Sequence, residues 1–560
     1  MKLLAAARTL ASSTAALLLA VAGPAAFASP PLDIVPARTG SRSQAVAALS
    51  TGSPATPCLT ALVQSLRSDR QRGTVAARRA LASLATDANL PSERVDSDVN
   101  GVSVRFTTER GAFDRVDFDD DNANGRPDVV DEALSGVAAA KRLLVQQLEL
   151  PSPGAVDVVL TRLGSNVEGL SIPFSGKPAR THIWLDPSAH GGNGGVRRAA
   201  EHQFAHAVAS TAGLDPAWGE AFATWAALAV EGAPDDRTLA LMAAKFASQG
   251  DGLATQDLDL AGGNASWFAF LNDAYGPTAV KLAVEELGRG GSYEAALDRA
   301  MRRATGDTIE VALREYQIWS LLIGSRDDRK HFSFASRLPN PVFAASEDAL
   351  PALSVQASPE IGPMGQAAVL IQPDAWSGGL DVRFEGDPAS RWGSDLLVVQ
   401  EGGELRRVPF PLDAENSGDI TVPLQDVREV ILLVRNLDAD GHPAKRYSFA
   451  AHFDSGFPAE FGSVHAEAAA TTGGALISWE TFNERHLLGF NVLRARSDRG
   501  AATRVNPVWI PSMGESASPA AYSFFDATAT PGVAYRYRIE AVTLEGLQSR
   551  SEAVTISPAP

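Results

Sequence analysis

A single cysteine among 560 residues, Cys58, rules out any disulfide within the chain. Basic residues are also in deficit: 49 Lys and Arg stand against 66 Asp and Glu, so the formal net charge is -17. Binding to nucleic acid or to an anionic membrane surface needs clustered Lys and Arg, so we expect neither partner. No stretch after residue 28 has the ~18 consecutive apolar residues of a transmembrane helix, and we expect no membrane span.

The N-terminus has the parts of a secretory signal peptide. Lys2 and Arg8 supply a positive start, residues 10–22 are nearly all apolar or small, and Ala26-Phe27-Ala28 matches a small-residue cleavage pattern. The apolar run is too short to span a bilayer. We therefore expect a bacterial protein that is secreted or periplasmic; a buried N-terminal helix is the alternative interpretation.

Changes in composition and periodicity divide the rest of the chain. Residues 195–324 have helical spacing with Gly and Pro at the turns, whereas short strand-like runs dominate after residue 366. The predicted fold class is α+β, with a mainly helical domain followed by two all-β sandwiches. The predicted boundaries are 1–28 (signal peptide), 29–98 (linker and helical pro-segment-like region), 99–335 (mainly helical domain with an acidic loop), 336–365 (linker), 366–460 (first sandwich) and 464–557 (second sandwich).

Two histidines at helical spacing form the candidate metal site. His202 and His206 lie four residues apart, so they share one face of a helix and can bind one Zn²⁺ at about 2.0–2.1 Å each. Glu220, early in the next predicted helix, is the candidate third ligand. The alternative is that two helical histidines merely pack in the core or contact solvent.

The residues around this pair resemble a known family. Ala-Ala-Glu-His-Gln-Phe-Ala-His, ending at His206, and Glu-Ala-Phe-Ala-Thr-Trp, starting at Glu220, are similar to the HExxH…E pattern of secreted bacterial zinc metalloproteases of the gluzincin type. The resemblance runs from about residue 100 to 335 and includes an aromatic segment ending in Tyr275-Gly276. It implies a zincin-like domain, zinc held by His202, His206 and Glu220, and a peptide or protein as substrate or ligand.

Two positions depart from that pattern. The family has Glu directly after the first histidine, as the general base that takes a proton from the attacking water, whereas this chain has Gln203. Gln203 can hydrogen-bond water but cannot accept its proton, and loss of a general base costs about 10²–10⁴-fold in rate. Glu201 points away from the face of the histidine pair and is a poor substitute. Trp218 stands two residues before Glu220, where the family usually has three.

An acidic loop precedes the helical region and matches the spacing of a calcium loop. Gly125 holds the sixth position, where a sharp turn is required, and a helix is expected after Pro127. We predict a structural Ca²⁺ site, with a solvated acidic turn as the alternative. The predicted ligands are Asp120, Asn122, Asn124, Arg126 through its carbonyl, Asp128 and Asp131, the last of which replaces the usual Glu.

The C-terminal residues resemble a fibronectin type III domain. Tyr535, Tyr537 and Ile539 alternate with charged residues, as in a strand with one buried face. Trp479 is expected in the core, with a ligand-stacking role as the alternative. No motif assigns a role to the first sandwich.

Three functions stay open from the sequence. The chain is an active secreted zinc metallopeptidase, a catalytically impaired relative that keeps the metal and serves binding, or a structural or adhesive surface protein. Zinc content separates the third from the other two. The substitution Gln203→Glu separates the first from the second.

Overall fold

The computed structural model describes Cys58, Thr60, Pro91, residues 93–96 and most of residues 101–556. The gaps within that last range are 113, 164–166, 175–179, 189–194, 348–351, 354–356, 373–377, 455–456, 458, 470–472, 485–486, 497–498, 515–518 and 545–547. The predicted signal peptide lies outside the described residues. None of the described helices is long and apolar enough to cross a bilayer. Helices and several separate sheets are both present, so the fold is of the α+β class.

A five-stranded sheet lies against the helical region. Its strands, in the spatial order β1-β2-β3-β5-β4, are β1 (Glu93–Asp96), β2 (Val102–Phe106), β3 (Ala155–Leu160), β4 (Gly169–Phe174) and β5 (Arg180–Leu185). β2, β3 and β5 are parallel, whereas β4 runs antiparallel to β5 and forms one edge. Hydrophobic residues on both faces of β3 and β5 are buried, as expected for central parallel strands. Gly169, at the start of β4, lies against Gln203 of the helical region.

Nine α-helices supply most of the N-terminal core. They are α1 (Asp128–Lys141), α2 (Gly195–Ala212), α3 (Pro216–Glu231), α4 (Asp236–Ala247), α5 (Leu258–Ala261), α6 (Ala265–Tyr275), α7 (Pro277–Gly288), α8 (Tyr293–Ala304) and α9 (Ile309–Leu321) among the described residues. A π-helical turn (Arg142–Gln147) continues α1, and 3-10 turns occur at Gln249–Asp251, Gly262–Asn264, Gly324–Arg326 and Ala335–Arg337. α2 and α3 are buried on nearly all sides, so they form the centre of the helical region.

A tight turn sets the position of α3 relative to α2. Gly213 has a φ of +87°, and a Cβ there would lie 2.7 Å from the Gly288 carbonyl oxygen, so glycine is required. Asp215 caps α3 by accepting hydrogen bonds from the backbone of Ala217 and Trp218, and Pro216 occupies the first helical turn. The next helix therefore starts only a few residues after α2 ends.

Two sheets form the first sandwich. One has the order β13-β10-β15-β7, with β8 also paired to β15, and the other has the order β12-β11-β14-β9-β6. The strands are β6 (Ala345–Glu347), β7 (Ala352–Leu353), β8 (Ala357–Ile361), β9 (Gln366–Ile371), β10 (Gly379–Gly386), β11 (Trp392–Gln400), β12 (Leu405–Pro409), β13 (Ser417–Pro423), β14 (Val427–Asn436) and β15 (Lys445–Asp454). The segment 336–365, expected to be a linker, contributes β6, β7 and β8 to this sandwich.

A buried polar network joins the first sandwich to α9. Gln317 donates hydrogen bonds to the carbonyl oxygens of Ala367 and Val434 and accepts one from Arg435. Arg435 also pairs with the buried Asp395 at 2.5 Å. The two terminal nitrogens of the buried Arg435 guanidinium have these partners, whereas its Nε has none among the described residues. A buried charge is tolerated when it is paired and hydrogen-bonded, and this network ties the sandwich to the helical region.

The second sandwich also has two sheets. One has the order β16-β17-β21 and the other β19-β18-β22-β23, with β20 paired to β18 and β24 to β22. Trp479 stacks on Tyr522 in its core, as predicted for a fibronectin-like sandwich. The strands are β16 (Ala459–Ala468), β17 (Ala475–Glu484), β18 (Leu487–Arg496), β19 (Arg499–Arg504), β20 (Ile510–Pro511), β21 (Ala520–Asp526), β22 (Tyr535–Thr543), β23 (Gln548–Arg550) and β24 (Val554–Ile556).

Candidate metal centre

α2 presents its two histidines to the same buried space. The Nε2 atoms of His202 and His206 are 3.1 Å apart, and the two rings meet edge to face. His206 is fully buried and His202 nearly so. Their spacing of one helical turn accounts for this convergence.

α3 places Glu220 opposite the pair. Its carboxylate oxygens lie 3.1 Å from Nε2 of His206 and 3.6 Å from Nε2 of His202. Glu220 is itself buried, with an exposed fraction of 1%. The turn at Gly213 and the Asp215 cap bring this carboxylate onto the histidine pair, so the three predicted zinc ligands lie together.

A fourth donor comes from the N-terminal part of the chain. The Sγ atom of Cys58 is 3.2 Å from Nε2 of His206 and 3.3 Å from Nε2 of Gln203. One ligand atom from each of Cys58, His202, His206 and Glu220 lies within 4.8 Å of all the others. Cys58 was not predicted to belong to this site, so the cluster has one more potential metal ligand than the sequence indicates.

The geometry and the unsatisfied atoms of the cluster fit a metal ion. In a tetrahedral zinc centre, neighbouring nitrogen, oxygen and sulfur ligand atoms lie about 3.3–3.6 Å apart. The recorded separations within the cluster are 3.1 to 3.6 Å. Oε2 of Glu220 is buried without a hydrogen-bond donor among the described residues, although His206 is near it. A cation at the centre would satisfy that oxygen.

The surroundings of His206 differ in one respect from a usual zinc site. A metal-bound histidine normally donates its second ring N–H to a carbonyl or carboxylate, which fixes the ring. Nδ1 of His206 has no hydrogen-bond partner among the described residues. Close packing around this fully buried ring, rather than such a hydrogen bond, holds its orientation.

The side chains of the cluster shift one another's pKa values. Burial raises the pKa of Glu220, but His202 and His206 outweigh this effect and hold the pKa at about 2. Burial and Glu220 likewise raise the pKa of Cys58, and the two imidazoles bring it down to about 6. The opposite charges of Cys58 and Glu220 raise the pKa of His206 against the effect of burial. Thiolate and carboxylate are the forms that bind metal.

Gln203 takes part in the same cluster from the next position on α2. Its Oε1 accepts a hydrogen bond of 2.7 Å from Oγ1 of Thr60, and its Nε2 donates to Cys58. Gly169 lies against it: a Cβ on Gly169 would meet Cγ of Gln203 at 2.8 Å. Both ends of the amide therefore have partners from the N-terminal residues.

Glu201 turns away from the cluster, as its helical position predicts. Its carboxylate pairs with Arg197 at 3.2 Å. Burial, followed by the nearby carboxyl group of Glu231, raises its pKa to about 8. No hydrogen bond or ion pair joins the Glu201 carboxylate to the four clustered side chains among the described residues.

The acidic loop folds around its own backbone. Asp120 accepts hydrogen bonds from the backbone N–H groups of Asn124 and Gly125, and Gly125 has a φ of +83°. Asp131 accepts from the side chains of Asn122 and Asn124. The other two predicted ligands, Asp128 and Arg126, also contact residues of the loop. Asp128 accepts a hydrogen bond from the backbone N–H of Asp121, and Arg126 pairs with Asp131 at 2.5 Å.

The loop therefore has the turn that a calcium loop requires, but its polar groups are paired with each other. Its carboxylates do not form a second group of converging His, Cys, Asp or Glu ligands among the described residues. A calcium ion would have to displace Arg126 and the Asn side chains from Asp131. Calcium binding stays a prediction.

The cavity beside the cluster of Cys58, His202, His206 and Glu220 is small. A cavity of about 20 Å³ lies next to His202 and is lined by Arg198, Thr224 and Arg237, among others. This volume suits about one water molecule. A larger cavity of about 620 Å³ is lined by Ile318, Arg326 and Arg407 at the boundary with the first sandwich. None of Cys58, His202, His206 and Glu220 lines this larger cavity.

Comparisons with known proteins give partial likenesses. No family model matches the chain, and no curated protein matches it. Three solved structures are similar to parts of it: one described as a myokine structure (18% identity, 18% of this chain, 99% of that chain, TM-score 0.14), the chicken CNTN1 FN1-FN3 domains (15%, 30%, 57%, 0.16) and the adhesin domain of Epf from Streptococcus pyogenes (10%, 35%, 73%, 0.15). At these TM-scores the likenesses carry no argument about function.

Proposed function

We propose that the chain is a zinc-binding, metallopeptidase-like protein. His202, His206 and Glu220 hold the ion, and Gln203 stands where the general base would be, so proteolysis is weak or lost. The observation that carries the proposal is the convergence of buried donor atoms from α2 and α3 at separations of 3.1 to 3.6 Å.

The chemistry divides between the ion and the side chains. Bound zinc supplies a Lewis acid that polarises a carbonyl group and lowers the pKa of water. Gln203 can donate or accept one hydrogen bond to orient a water molecule, but its amide cannot take up a proton. The described residues around it offer no carboxylate that replaces this function, since Glu201 is paired with Arg197.

The same arrangement also suits a protein that binds peptides without cutting them. Gln203 preserves the shape of the glutamate that the resembled family has at this position, while its proton chemistry is lost. The two sandwiches after the helical region are of a kind used as spacers or adhesion modules. A pseudo-peptidase or adhesive surface protein is therefore the second candidate, and export to the periplasm or beyond is part of both proposals.

Metal content tests the proposal directly. Elemental analysis of the purified full chain is expected to find about one zinc per molecule. His206→Ala should lose it, because the remaining donors leave an incomplete and buried site. His331→Ala is the matched control, since His331 pairs with Asp328 away from the cluster. A zinc content that is the same in both variants would overturn the proposed site.

A further inference from the structure

The position of Cys58 is unexplained by a peptidase site of three protein ligands. Catalytic zinc sites keep one coordination position open, whereas structural sites are closed by a fourth protein ligand. Cys58 is 2% exposed and its Sγ atom lies 3.2 Å from His206. This places a fourth side chain where an open position would otherwise be.

Cys58 pairs with the edge of a sheet. Cys58 forms a parallel bridge with Gly169, the first residue of β4. Two residues further along both segments, Oγ1 of Thr60 accepts the backbone N–H of Ser171 at 2.8 Å. β4 is the edge strand of the five-stranded sheet, so Cys58 and Thr60 occupy its free side. An extended peptide commonly binds a protein by adding to such an edge.

Side chains fix this position from the helix side. Thr60 donates to Oε1 of Gln203, and Nε2 of Gln203 donates to Cys58. Thr60 and Gln203 are buried, with exposed fractions of 0% and 1%. Residues from the chain's own N-terminal part thus fill the space between the β4 edge and α2.

We propose that Cys58 is the fourth ligand of the zinc ion and that Cys58 and Thr60 block the site by occupying the place of an extended peptide along β4. This inference rests on the proposed zinc site. The substrate or ligand class it implies is an unfolded or extended polypeptide, bound by backbone hydrogen bonds to the β4 edge. Coordination of the thiol releases its proton, and displacement of Cys58 opens one coordination position.

Cobalt replacement tests the ligand. With Co²⁺ in place of zinc, the full chain should show a near-ultraviolet thiolate-to-metal charge-transfer band, and Cys58→Ala should bind Co²⁺ without that band. Cys58→Ser is the second variant, since its hydroxyl preserves the hydrogen bond to Gln203 if the alanine variant fails to fold. A band that is identical in the wild type and the serine variant would overturn the inference.

Alkylation gives an independent measurement because Cys58 is the only thiol. Iodoacetamide should label the metal-loaded chain about tenfold or more slowly than the chelator-treated chain, since bound metal stabilises the closed state. Thr60→Val should speed labelling of the loaded chain while keeping the cobalt band. Labelling that is insensitive to the chelator would overturn the role of Cys58 as a ligand.

Binding of a peptide probe tests the blocked site. A short peptide hydroxamate should bind the zinc-loaded Cys58→Ala variant with at least about tenfold higher affinity than the wild type, because the competing ligand is removed. Equal affinity would overturn the blocking role. If neither protein contains zinc, the proposed function fails. If both contain zinc but the cobalt-loaded wild type lacks the thiolate band, only the inference about Cys58 fails.

Discussion

Oγ1 of Thr60 donates a 2.7 Å hydrogen bond to Oε1 of Gln203, across 143 residues of sequence. Gln203, which aligns with the general base of the resembled family, therefore contacts the N-terminal part of the chain through both ends of its amide. Gln203 is suited to this contact, since an amide can accept from Thr60 and donate to Cys58 at the same time. A glutamate would lose the second hydrogen bond and place a negative charge beside the thiolate.

This conflict gives a prediction for Gln203→Glu. We expect little gain in peptide hydrolysis in the otherwise unchanged chain, because Cys58 still occupies the site. Combined with Cys58→Ala, the substitution should raise the hydrolysis rate by about 10²-fold or more over Cys58→Ala alone. Cleavage of a quenched fluorescent peptide measures both. A double variant that is no faster would show that the missing base is not what limits the reaction.

Zinc should also stabilise the helical region. Chelation is expected to lower the Tm of the wild type, because binding to the folded state alone stabilises it by about 4 kcal/mol at a thousandfold excess over Kd. Glu220→Gln should weaken this response, since a neutral amide replaces a carboxylate that faces the ion. Calorimetry with and without chelator provides the measurement. The control is Glu360→Gln, at an exposed ion pair with Arg446.

The acidic loop gives a separate calcium prediction. Added Ca²⁺ should raise the Tm of the zinc-loaded chain, and Asp120→Ala should abolish the increase because Asp120 also organises the turn at Gly125. Arg126→Ala should strengthen calcium binding, since it frees Asp131 from an ion pair. Isothermal titration distinguishes the outcomes. Absence of heat for Ca²⁺ in both the wild type and Arg126→Ala would reject the site.

Gly169 should be intolerant of a side chain. The alanine Cβ would lie 2.8 Å from Cγ of Gln203, which is closer than packed carbon atoms approach. Gly169→Ala is expected to destabilise the protein by about 1–3 kcal/mol through overpacking and to speed alkylation of Cys58. Gly402→Ala is the control, because a Cβ there meets no atom within 4 Å. Unchanged stability and labelling would contradict the close fit of β4 and α2.

Acid stability should depend on Glu286, which joins α7 and α8. Its buried carboxylate accepts hydrogen bonds from Arg289, Arg299 and Arg303. Burial raises its pKa, but the three guanidinium groups outweigh this and lower the pKa from 4.5 to about 2. The stabilisation is thus fully present above pH 4.5 and is lost as the pH falls towards 2.

Glu286→Gln should therefore lower the free energy of unfolding at neutral pH by about 1–3 kcal/mol, because charged hydrogen bonds are lost. The Tm should fall accordingly. Its deficit relative to the wild type should shrink between pH 4.5 and about 2. Thermal melts at several pH values measure this. Glu294→Gln is the control, because the Glu294 carboxylate is on the same helix and pairs with Arg391 at 3.4 Å rather than with three guanidinium groups. A deficit that is independent of pH would contradict the charge-based explanation.

Some of this arrangement is readable in the sequence and some is not. The pairing of His202 with His206 follows from helical periodicity, and the short turn before α3 makes Glu220 a natural neighbour. Cys58 is 148 residues from His206 and has no fixed spacing to it, so local patterns do not reveal their contact. The scarcity of cysteine is itself a signal, because a lone thiol is a potential fourth ligand of any zinc site that the sequence predicts.

The strands β6, β7 and β8, in the segment expected to be a linker, escaped prediction for a different reason. β6 and β7 have three and two residues, and they lie in a segment rich in Pro, Ser and Ala. Such short strands depend on backbone pairing with a neighbour already in place, here β9 and β15. In contrast, Tyr535, Tyr537 and Ile539 alternate over a strand long enough for the pattern to predict it.

The four-ligand cluster has a consequence for a chain without disulfides. An ion held by Cys58 and His202 would be a reversible cross-link that closes a loop of 144 residues, as the numbering of these two residues gives. In the chain-entropy model, a permanent cross-link of that length stabilises the folded state by about 5 kcal/mol. The ion would thus provide a cross-link in a chain whose one cysteine cannot form an internal disulfide. The supply of metal would then determine whether the loop is closed.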